Sequence, residues 1–138
     1  MVKKIDHIAI AVKNIDQAIQ LYTDLFGIKP NKIQEIPRQG VKAALLPVGD
    51  GSEIELLEPI DPTGGIAKFI ETRGEGIHHI CLEVDDVDTE LSRLADKGIQ
   101  LIDKKGRPGL AGKVAFLHPK STKGVLIELA QKPRGEHP

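Results

Sequence analysis

Residues 76–88 read GIHHICLEVDDVD, and residues 5–16 carry a related stretch, IDHIAIAVKNID. At an offset of 72, the identical pairs include Ile5 with Ile77, His7 with His79, Val12 with Val84 and Asp16 with Asp88. At an offset of 73, Ile54-Glu55-Leu56 matches Ile127-Glu128-Leu129. An internal repeat decides the architecture of a chain before any single element does. The chain therefore duplicates one module, which has a histidine near its start and a glutamate near its end.

Each module is predicted to fold as a strand, a helix and three further strands. The first strand alternates between two kinds of side chain, with Ile8, Ile10 and Val12 on one face and His7, Ala9 and Ala11 on the other. Asn14 and Asp86 are predicted to cap the two helices, which Gly27 and Gly98 are predicted to end. The remaining strands are predicted at 32–36, 41–46 and 53–58 and, in the second module, near 100–104, 113–118 and 125–130.

These elements predict an α+β fold, in which two tandem βαβββ modules form a curved, barrel-like sheet around one metal site. Module one covers about residues 4–58, a connector covers 59–76 and module two covers about 77–132, within a single domain of residues 1–138. Each module alone is an open sheet with a helix on one face. The face that carries the module's histidine is therefore expected to line a cavity.

Composition narrows the classes of function. The chain has 138 residues and a formal net charge of −1, so no bulk basic surface indicates nucleic-acid binding. No apolar run reaches the length of a membrane span, and the first residues, MVKKIDH, lack the apolar core of a signal peptide. Cys81 is the only cysteine, which excludes an internal disulfide and fits a reducing compartment. We expect a cytoplasmic protein that binds neither nucleic acid nor a membrane.

The repeated ionisable residues predict a metal site. Glu55 and Glu128 each stand between aliphatic neighbours in the last strand of a module, so each lies on the face opposite to those neighbours. His7 and His79 lie on the same non-helix faces by the same alternation. A lone strand histidine or glutamate is usually structural, but packing does not require ionisable groups at symmetric positions. Two imidazoles and two carboxylates suit one divalent first-row metal with open positions.

Other candidate residues carry weaker signals. The segment 104–113, KKGRPGLAGK, is glycine-rich and basic, which suits an anion but is common in flexible surface loops. His118 could contact a substrate or stabilise a turn, and His78 is predicted to be structural. Cys81 shares the face of His79 and is predicted to be a buried small hydrophobe rather than a nucleophile.

The paired modules resemble the vicinal oxygen chelate (glyoxalase/bleomycin-resistance) superfamily. Within it, IDHIAIAV, HHICLEVDD and HPKSTKGVLIEL resemble methylmalonyl-CoA epimerases, and the resemblance runs from about residue 5 to residue 132. It implies an isomerase of propionate metabolism that epimerises (2R)- and (2S)-methylmalonyl-CoA through a metal-stabilised enolate. It also implies an acyl-CoA substrate and a homodimer. The implied ligands of the metal are His7, Glu55, His79 and Glu128. We expect Co²⁺ first, with Mn²⁺, Ni²⁺ and Zn²⁺ also admissible.

The resemblance has two departures. The second ligand position can be glutamine in the family and is Glu55 here, and some members carry a glutamate proposed as a base where this chain has Ala43. We therefore expect Glu128 and Glu55 to act as the two catalytic bases, while a role for both as ligands only stays open. Three basic residues beside the last strands are expected to hold the CoA phosphates or the malonyl carboxylate: Arg107, Lys113 and Lys120.

Two alternative functions use the same fold. Glyoxalase I (lactoylglutathione lyase) shares the ligand set and the enolate chemistry. A small-molecule-sequestering resistance protein would need an aromatic-lined cavity, and the chain has no Trp, one Tyr and three Phe.

Overall fold

The strands and helices of the computed structural model repeat one order twice, and the fold is α+β. The structure describes residues 1–133; residues 134–138, the end of the predicted domain, lie outside the described part. The elements are β1 (Val2–Ala11), α1 (Ile15–Phe26), β2 (Lys32–Ile36), β3 (Val41–Pro47), β4 (Glu53–Pro59), α2 (Gly65–Arg73), β5 (Gly76–Val84), α3 (Val87–Asp96), β6 (Arg107–Gly109), β7 (Gly112–Leu117) and β8 (Ile127–Gln131). The two predicted βαβββ runs are confirmed, with α2 in the connector. Within residues 1–133, none of the helices is long and apolar enough to cross a membrane.

The chain divides into two units. The first unit is His7–His78, and its strands lie in the order β2-β3-β4-β1, with β1 parallel to β4. Its core lies on the α1 side of the sheet, as the alternation predicted: Val12, Ile15, Ala44, Leu46 and Leu56, with Ile10, Ala18 and Tyr22 packed against them. Leu46 and Leu56 have no exposed surface, so truncating either to alanine should cost about 2–5 kcal/mol of unfolding free energy.

Local sequence signals set the ends of α1. The Asn14 side chain accepts a hydrogen bond from the backbone N–H of Gln17 at 3.0 Å, which satisfies one of the free donors of the first turn. Gly27 ends the helix with φ 72°, a left-handed conformation that glycine adopts without steric cost. Both predicted caps are confirmed, and they fix where the chain leaves β1 and where it turns towards β2.

The second unit is Met1–Asp6 together with His79–Pro138, and its strands lie in the order β5-β8-β7-β6. Its helix-side core repeats the pattern of the first unit: Val84, Val87, Leu91, Ala115, Leu117 and Leu129. Asp86 caps α3 by accepting from the N–H of Thr89 at 2.9 Å. The first six residues are tied to this unit by ion pairs: Met1 N to Glu90 at 2.8 Å and Asp6 to Lys132 at 2.6 Å.

The strand predicted near 100–104 is wrong. Only Leu101 forms a bridge there, with Leu117, and the short strand β6 lies inside the segment that the sequence suggested to be a basic loop. The backbone N–H groups of Ile102 and Asp103 both donate to the carbonyl of Phe116, at 3.0 and 3.2 Å. The Asp103 carboxylate then accepts from the N–H of Phe116 at 2.8 Å. The Asp103 side chain therefore takes the place of a backbone carbonyl as the acceptor for Phe116, and the regular hydrogen bonding between strands stops here.

Candidate active site

The first unit places His7 beside Glu55. The two residues lie on the parallel strands β1 and β4, where Ala9 is the register partner of Glu55. His7 is 2% exposed and Glu55 is 6% exposed, and the distance from His7 Nε2 to Glu55 Oε1 is 3.5 Å. Burying two ionisable groups costs free energy unless they are paired with each other or with an ion. The buried pair lies where the sequence predicted two metal ligands and is therefore a candidate functional site.

The second unit repeats the pair. His79 and Glu128 lie on the parallel strands β5 and β8, are 5% and 6% exposed, and approach to 3.0 Å between Nε2 and Oε1. Phe116 is the register partner of Glu128 on β7, and its ring meets the His79 ring edge to face, at 5.4 Å between centroids. That contact limits the orientations that the imidazole can take.

The donor set of both pairs fits a divalent metal. Two ligand atoms that each lie about 2.1 Å from one ion are roughly 3 Å apart, which is the spacing within each pair. The 3.0 Å contact of His79 with Glu128 and the 3.5 Å contact of His7 with Glu55 both fall near that value. Each pair offers one imidazole nitrogen and one carboxylate oxygen, a combination that suits first-row metals rather than Ca²⁺ or Mg²⁺.

Comparison with known proteins agrees with the fold. Residues 6–116 match the profile of the Glyoxalase/Bleomycin resistance protein/Dioxygenase superfamily. The mitochondrial methylmalonyl-CoA epimerase of Dictyostelium discoideum is 37% identical, over 94% of this chain and 78% of its own length. The solved methylmalonyl-CoA epimerase of Mycobacterium tuberculosis is 38% identical, with a TM-score of 0.91 over 96% of this chain and 89% of that one. The chain belongs to the methylmalonyl-CoA epimerase family of this superfamily.

A further solved member of the family carries a ligand. It is a variant of the Streptomyces coelicolor methylmalonyl-CoA epimerase in complex with 2-nitronate-propionyl-CoA, 34% identical to this chain, with a TM-score of 0.90 and full coverage of both chains. That protein therefore binds an acyl-CoA analogue on a fold that this chain shares over its whole length.

Ala43 lies on the same face of the first unit as Glu55. Leu45 of β3 is the register partner of Glu55, and Ala43, two residues away, points to the same side. Ala43 is 1% exposed, and Ala9 and Ala11 on the same face of β1 are fully buried. At position 43 the chain thus presents only a buried methyl group on the face that carries Glu55.

The structure separates the three basic residues that the sequence grouped together. The Arg107 guanidinium lies 5.5 Å above the Phe116 ring and pairs with Asp103 at 3.2 Å, so it is on the side of the sheet that carries His79. Lys113 pairs with Asp88 of α3 and therefore lies on the helix side. Lys120 is exposed in the short 3₁₀ turn Pro119–Thr122 that follows β7. Arg107 and Lys113 both line a cavity of about 410 Å³.

The pairing of Lys113 with Asp88 has electrostatic consequences. The pKa of Asp88 is lowered first by the hydrogen bond from the N–H of Gly106, at 2.8 Å, and then by the hydrogen bond from Lys113. In return, the hydrogen bond to Asp88 raises the pKa of Lys113. The charge of Lys113 is therefore largely balanced, and Arg107 is the better placed of the two for an anionic ligand.

Sequence reasoning missed Asp103, Phe116 and Lys132. The strand predicted at 113–118 contains Phe116, so alternation could have placed it opposite Glu128, but the prediction gave it no role. Lys132 pairs with the buried Asp6 and lines the same cavity as Arg107. Burial lowers the pKa of Lys132, but the hydrogen bond and the charge of Asp6 outweigh it, so the pKa is raised overall.

The remaining candidates have structural roles. The Nδ1 atom of His118 accepts from the N–H of Lys120 at 3.1 Å, which resolves that residue as the cap of the 3₁₀ turn. His78 packs edge to face on Phe69 of α2, at 5.1 Å between centroids. Cys81 is fully buried against Val114 and Ala130, as predicted for a small hydrophobe.

Proposed function

We propose that this chain interconverts (2R)- and (2S)-methylmalonyl-CoA. The reaction removes the proton from the carbon between the carboxylate and the thioester and returns a proton to the opposite face. The observation that supports this most directly is the pair of buried His–Glu contacts, His7 with Glu55 and His79 with Glu128, in a chain of the epimerase family.

The four residues His7, Glu55, His79 and Glu128 would together hold one divalent metal ion. When bound, such an ion supplies positive charge that stabilises the negative charge developing on the thioester oxygen as the proton leaves. Co²⁺ is the ion we expect first, and Mn²⁺, Ni²⁺ and Zn²⁺ suit the same donors. The imidazoles must be neutral to bind, so metal affinity should fall as the pH falls.

Glu128 and Glu55 are the groups that we assign to the proton. Epimerisation requires an acid or base on each side of the alpha carbon. The repeat supplies one carboxylate per unit, and Ala43 leaves no ionisable group at the family's other position. Glu128 would serve one face and Glu55 the other. Exchange of the alpha proton with deuterated solvent, in glutamine variants of both residues, separates this from the competing assignment, in which both only bind metal and a water molecule moves the proton.

An acyl-CoA substrate requires cationic groups for its phosphates and its carboxylate. We assign this role to Arg107, Lys113 and Lys120, with Arg107 foremost because, of the three, it alone lies over the Phe116 ring that contacts His79. The cavity of about 410 Å³ that Arg107 and Lys113 share with Lys132 gives an anionic group room to approach them. The family also suggests a homodimer, which light scattering on the purified protein would test. The single cysteine, Cys81, is the ground on which we propose a reducing, cytoplasmic compartment.

The test is an epimerisation assay with a single methylmalonyl-CoA epimer, run before and after treatment with a chelator. We expect turnover that the chelator abolishes and that added Co²⁺ restores. The same preparation should not convert methylglyoxal and glutathione to lactoylglutathione. Turnover of methylglyoxal without epimerisation would replace this proposal by the glyoxalase function.

A further inference from the structure

Asp103 lies in the irregular segment between α3 and β6 and makes two contacts at once. One carboxylate oxygen, Oδ2, accepts from the backbone N–H of Phe116 at 2.8 Å, and the other, Oδ1, accepts from Arg107 Nε at 3.2 Å. Phe116 belongs to the strand β7, so Asp103 is tied to the sheet. The Asp103 side chain is 18% exposed and that of Arg107 is 45% exposed, so Arg107 is the partner that a ligand can reach.

The same aromatic ring connects Arg107 to the buried pair. The guanidinium lies 5.5 Å above the Phe116 ring, and the ring edge-packs on His79 at 5.4 Å. The Phe116 ring therefore links Arg107 to His79, because it contacts both side chains. A guanidinium with one N–H group held by a carboxylate and its face on a ring loses most of its rotamer freedom before any ligand arrives. Its terminal amino groups remain available as donors.

We propose that Asp103 is a positioning residue that holds Arg107 over Phe116 so that the terminal amino groups of Arg107 bind the carboxylate of the malonyl group. This inference rests on the proposed epimerase function and adds to it the residue that orders the cation. The carboxylate is favoured over the CoA phosphates because Arg107 is linked to His79 through the Phe116 ring, whereas the pantetheine arm separates the phosphates from the acyl group.

This positioning has a consequence for specificity. A cation that is already ordered loses little conformational entropy when a ligand binds. Such a cation at the acyl end therefore discriminates between acyl-CoA molecules with and without a second carboxylate. Malonyl-CoA and propionyl-CoA differ in that carboxylate and have no epimers to interconvert. The ratio of their dissociation constants for the metal-loaded protein measures what Arg107 recognises.

The test compares Asp103→Asn, Arg107→Ala and the double variant by equilibrium binding of both ligands and by steady-state epimerisation. The amide introduced by Asp103→Asn would keep an oxygen that accepts from the Phe116 N–H. Its other group is a donor and cannot accept from Arg107, so the contact that holds Arg107 is lost with little change of side-chain shape. We expect Asp103→Asn to weaken malonyl-CoA binding about fivefold to tenfold and propionyl-CoA binding by less than about twofold. KM should rise with kcat nearly unchanged, and adding Asp103→Asn to Arg107→Ala should have no further effect.

Asp61→Asn is the matched control. Asp61 is an exposed aspartate that likewise accepts from a backbone N–H, that of Thr63 at 2.8 Å, and from a side chain, the Thr63 hydroxyl at 2.7 Å. We expect it to leave the ratio of the two dissociation constants at the parent value. The inference is overturned if Asp103→Asn also leaves that ratio unchanged, or if its effect adds fully to that of Arg107→Ala.

Two outcomes separate this inference from the proposed function. If the parent protein epimerises methylmalonyl-CoA but the ratio does not respond to Asp103→Asn, the positioning role falls and the function stands. If the parent has no epimerase activity but the ratio responds, the positioning role stands and the function falls. Malonyl-pantetheine, which lacks the CoA phosphates, identifies the group that is bound: a loss seen with malonyl-CoA and absent with malonyl-pantetheine would assign Arg107 to a phosphate and overturn the inference.

Discussion

The two units keep the same pair of donors in different surroundings. Around His7 and Glu55 the face is apolar and includes the buried methyl groups of Ala9, Ala11 and Ala43. Around His79 and Glu128 it includes Cys81, Glu83, Phe116 and, over the Phe116 ring, Arg107. The duplication thus retained the residues that suit a metal and let their neighbours diverge. We infer that recognition of the substrate depends mainly on the second unit, which carries Phe116 and Arg107.

The largest effect is expected when each glutamate is changed separately. In Glu55→Gln and Glu128→Gln the amide oxygen can still bind metal, but the side chain cannot take a proton. Loss of a general base typically lowers the rate by about 10²–10⁴-fold. In deuterated solvent, each variant should exchange the alpha proton of one epimer while losing turnover to the other.

The pattern of deuterium incorporation also tests whether the two units act on opposite faces of the alpha carbon. If the two glutamates serve opposite faces, the two variants will retain exchange with opposite epimers. A variant that epimerises at the parent rate with metal bound would show that its glutamate is a ligand only. Metal content of each variant, measured on the same sample, is the control.

A second, smaller effect is expected from the charges of the second unit. Replacing Arg107, Lys113 and Lys120 by alanine should raise KM about tenfold at low salt, most of it from Arg107, with little change in kcat. Added salt should reduce the effect because exposed charges are screened. The matched control removes three exposed cations of the first unit, Lys13, Lys29 and Lys68, and should leave KM near the parent value.

If the control variant raised KM as much as the triple variant, recognition would not belong to the second unit. If neither variant raised KM at low salt, the assignment of all three residues to the substrate would be wrong. Single Lys113→Ala should lie close to the parent, because Asp88 already balances that charge.

The repeat made the two His–Glu pairs predictable because strand alternation is geometric. Once Glu55 and Glu128 lie between aliphatic neighbours of a parallel strand, their face is fixed, and the structure places each beside the histidine of its own unit. The helix caps Asn14 and Asp86 were predictable for a similar reason, since capping depends on residues only three positions apart.

What the sequence did not predict depends on tertiary contacts. Asp103 interrupts a predicted strand because its side chain accepts from a backbone N–H of β7, thirteen residues away. Local secondary-structure propensity cannot predict a contact at that separation. The partner of Lys113 is more remote still, since Asp88 lies on α3, 25 residues away. The contact of Arg107 with the Phe116 ring is likewise tertiary, since it joins β6 to β7. The sequence thus predicted Arg107 as a substrate contact, but the contacts that hold it, with Asp103 and Phe116, became visible only in the structure.

The smallest effect concerns acid stability and compares equivalent positions of the repeat, Asp88 and Asp16. The pKa of Asp88 is lowered in the folded state, so the stability it contributes is present above its unfolded pKa of about 3.9 and is lost as the pH falls through the lower folded value. Lys113 stays protonated throughout that range. Asp88→Asn should therefore be less stable than the parent at pH 7, and the difference should close below about pH 4.

Urea unfolding at pH 7 and at pH 3 measures this difference. Asp16→Asn is the control, because Asp16 is exposed in the first turn of α1 and should give a smaller loss at pH 7. Equal losses for the two variants, or a loss for Asp88→Asn that persists at pH 3, would show that the contact with Gly106 and Lys113 does not stabilise the fold in the way described.

The central claim is that the two divergent units together hold one divalent ion through the donors they share. The most direct measurement is a titration of metal-free protein with Co²⁺, followed by its visible absorption, for the parent, His7→Ala and His79→Ala. We predict one Co²⁺ per chain in the parent. Each variant should bind at least about 100-fold more weakly, since even an outer hydrogen-bond partner of a ligand is worth roughly 10–100-fold. Two ions per chain, or a variant that titrates like the parent, would contradict the claim.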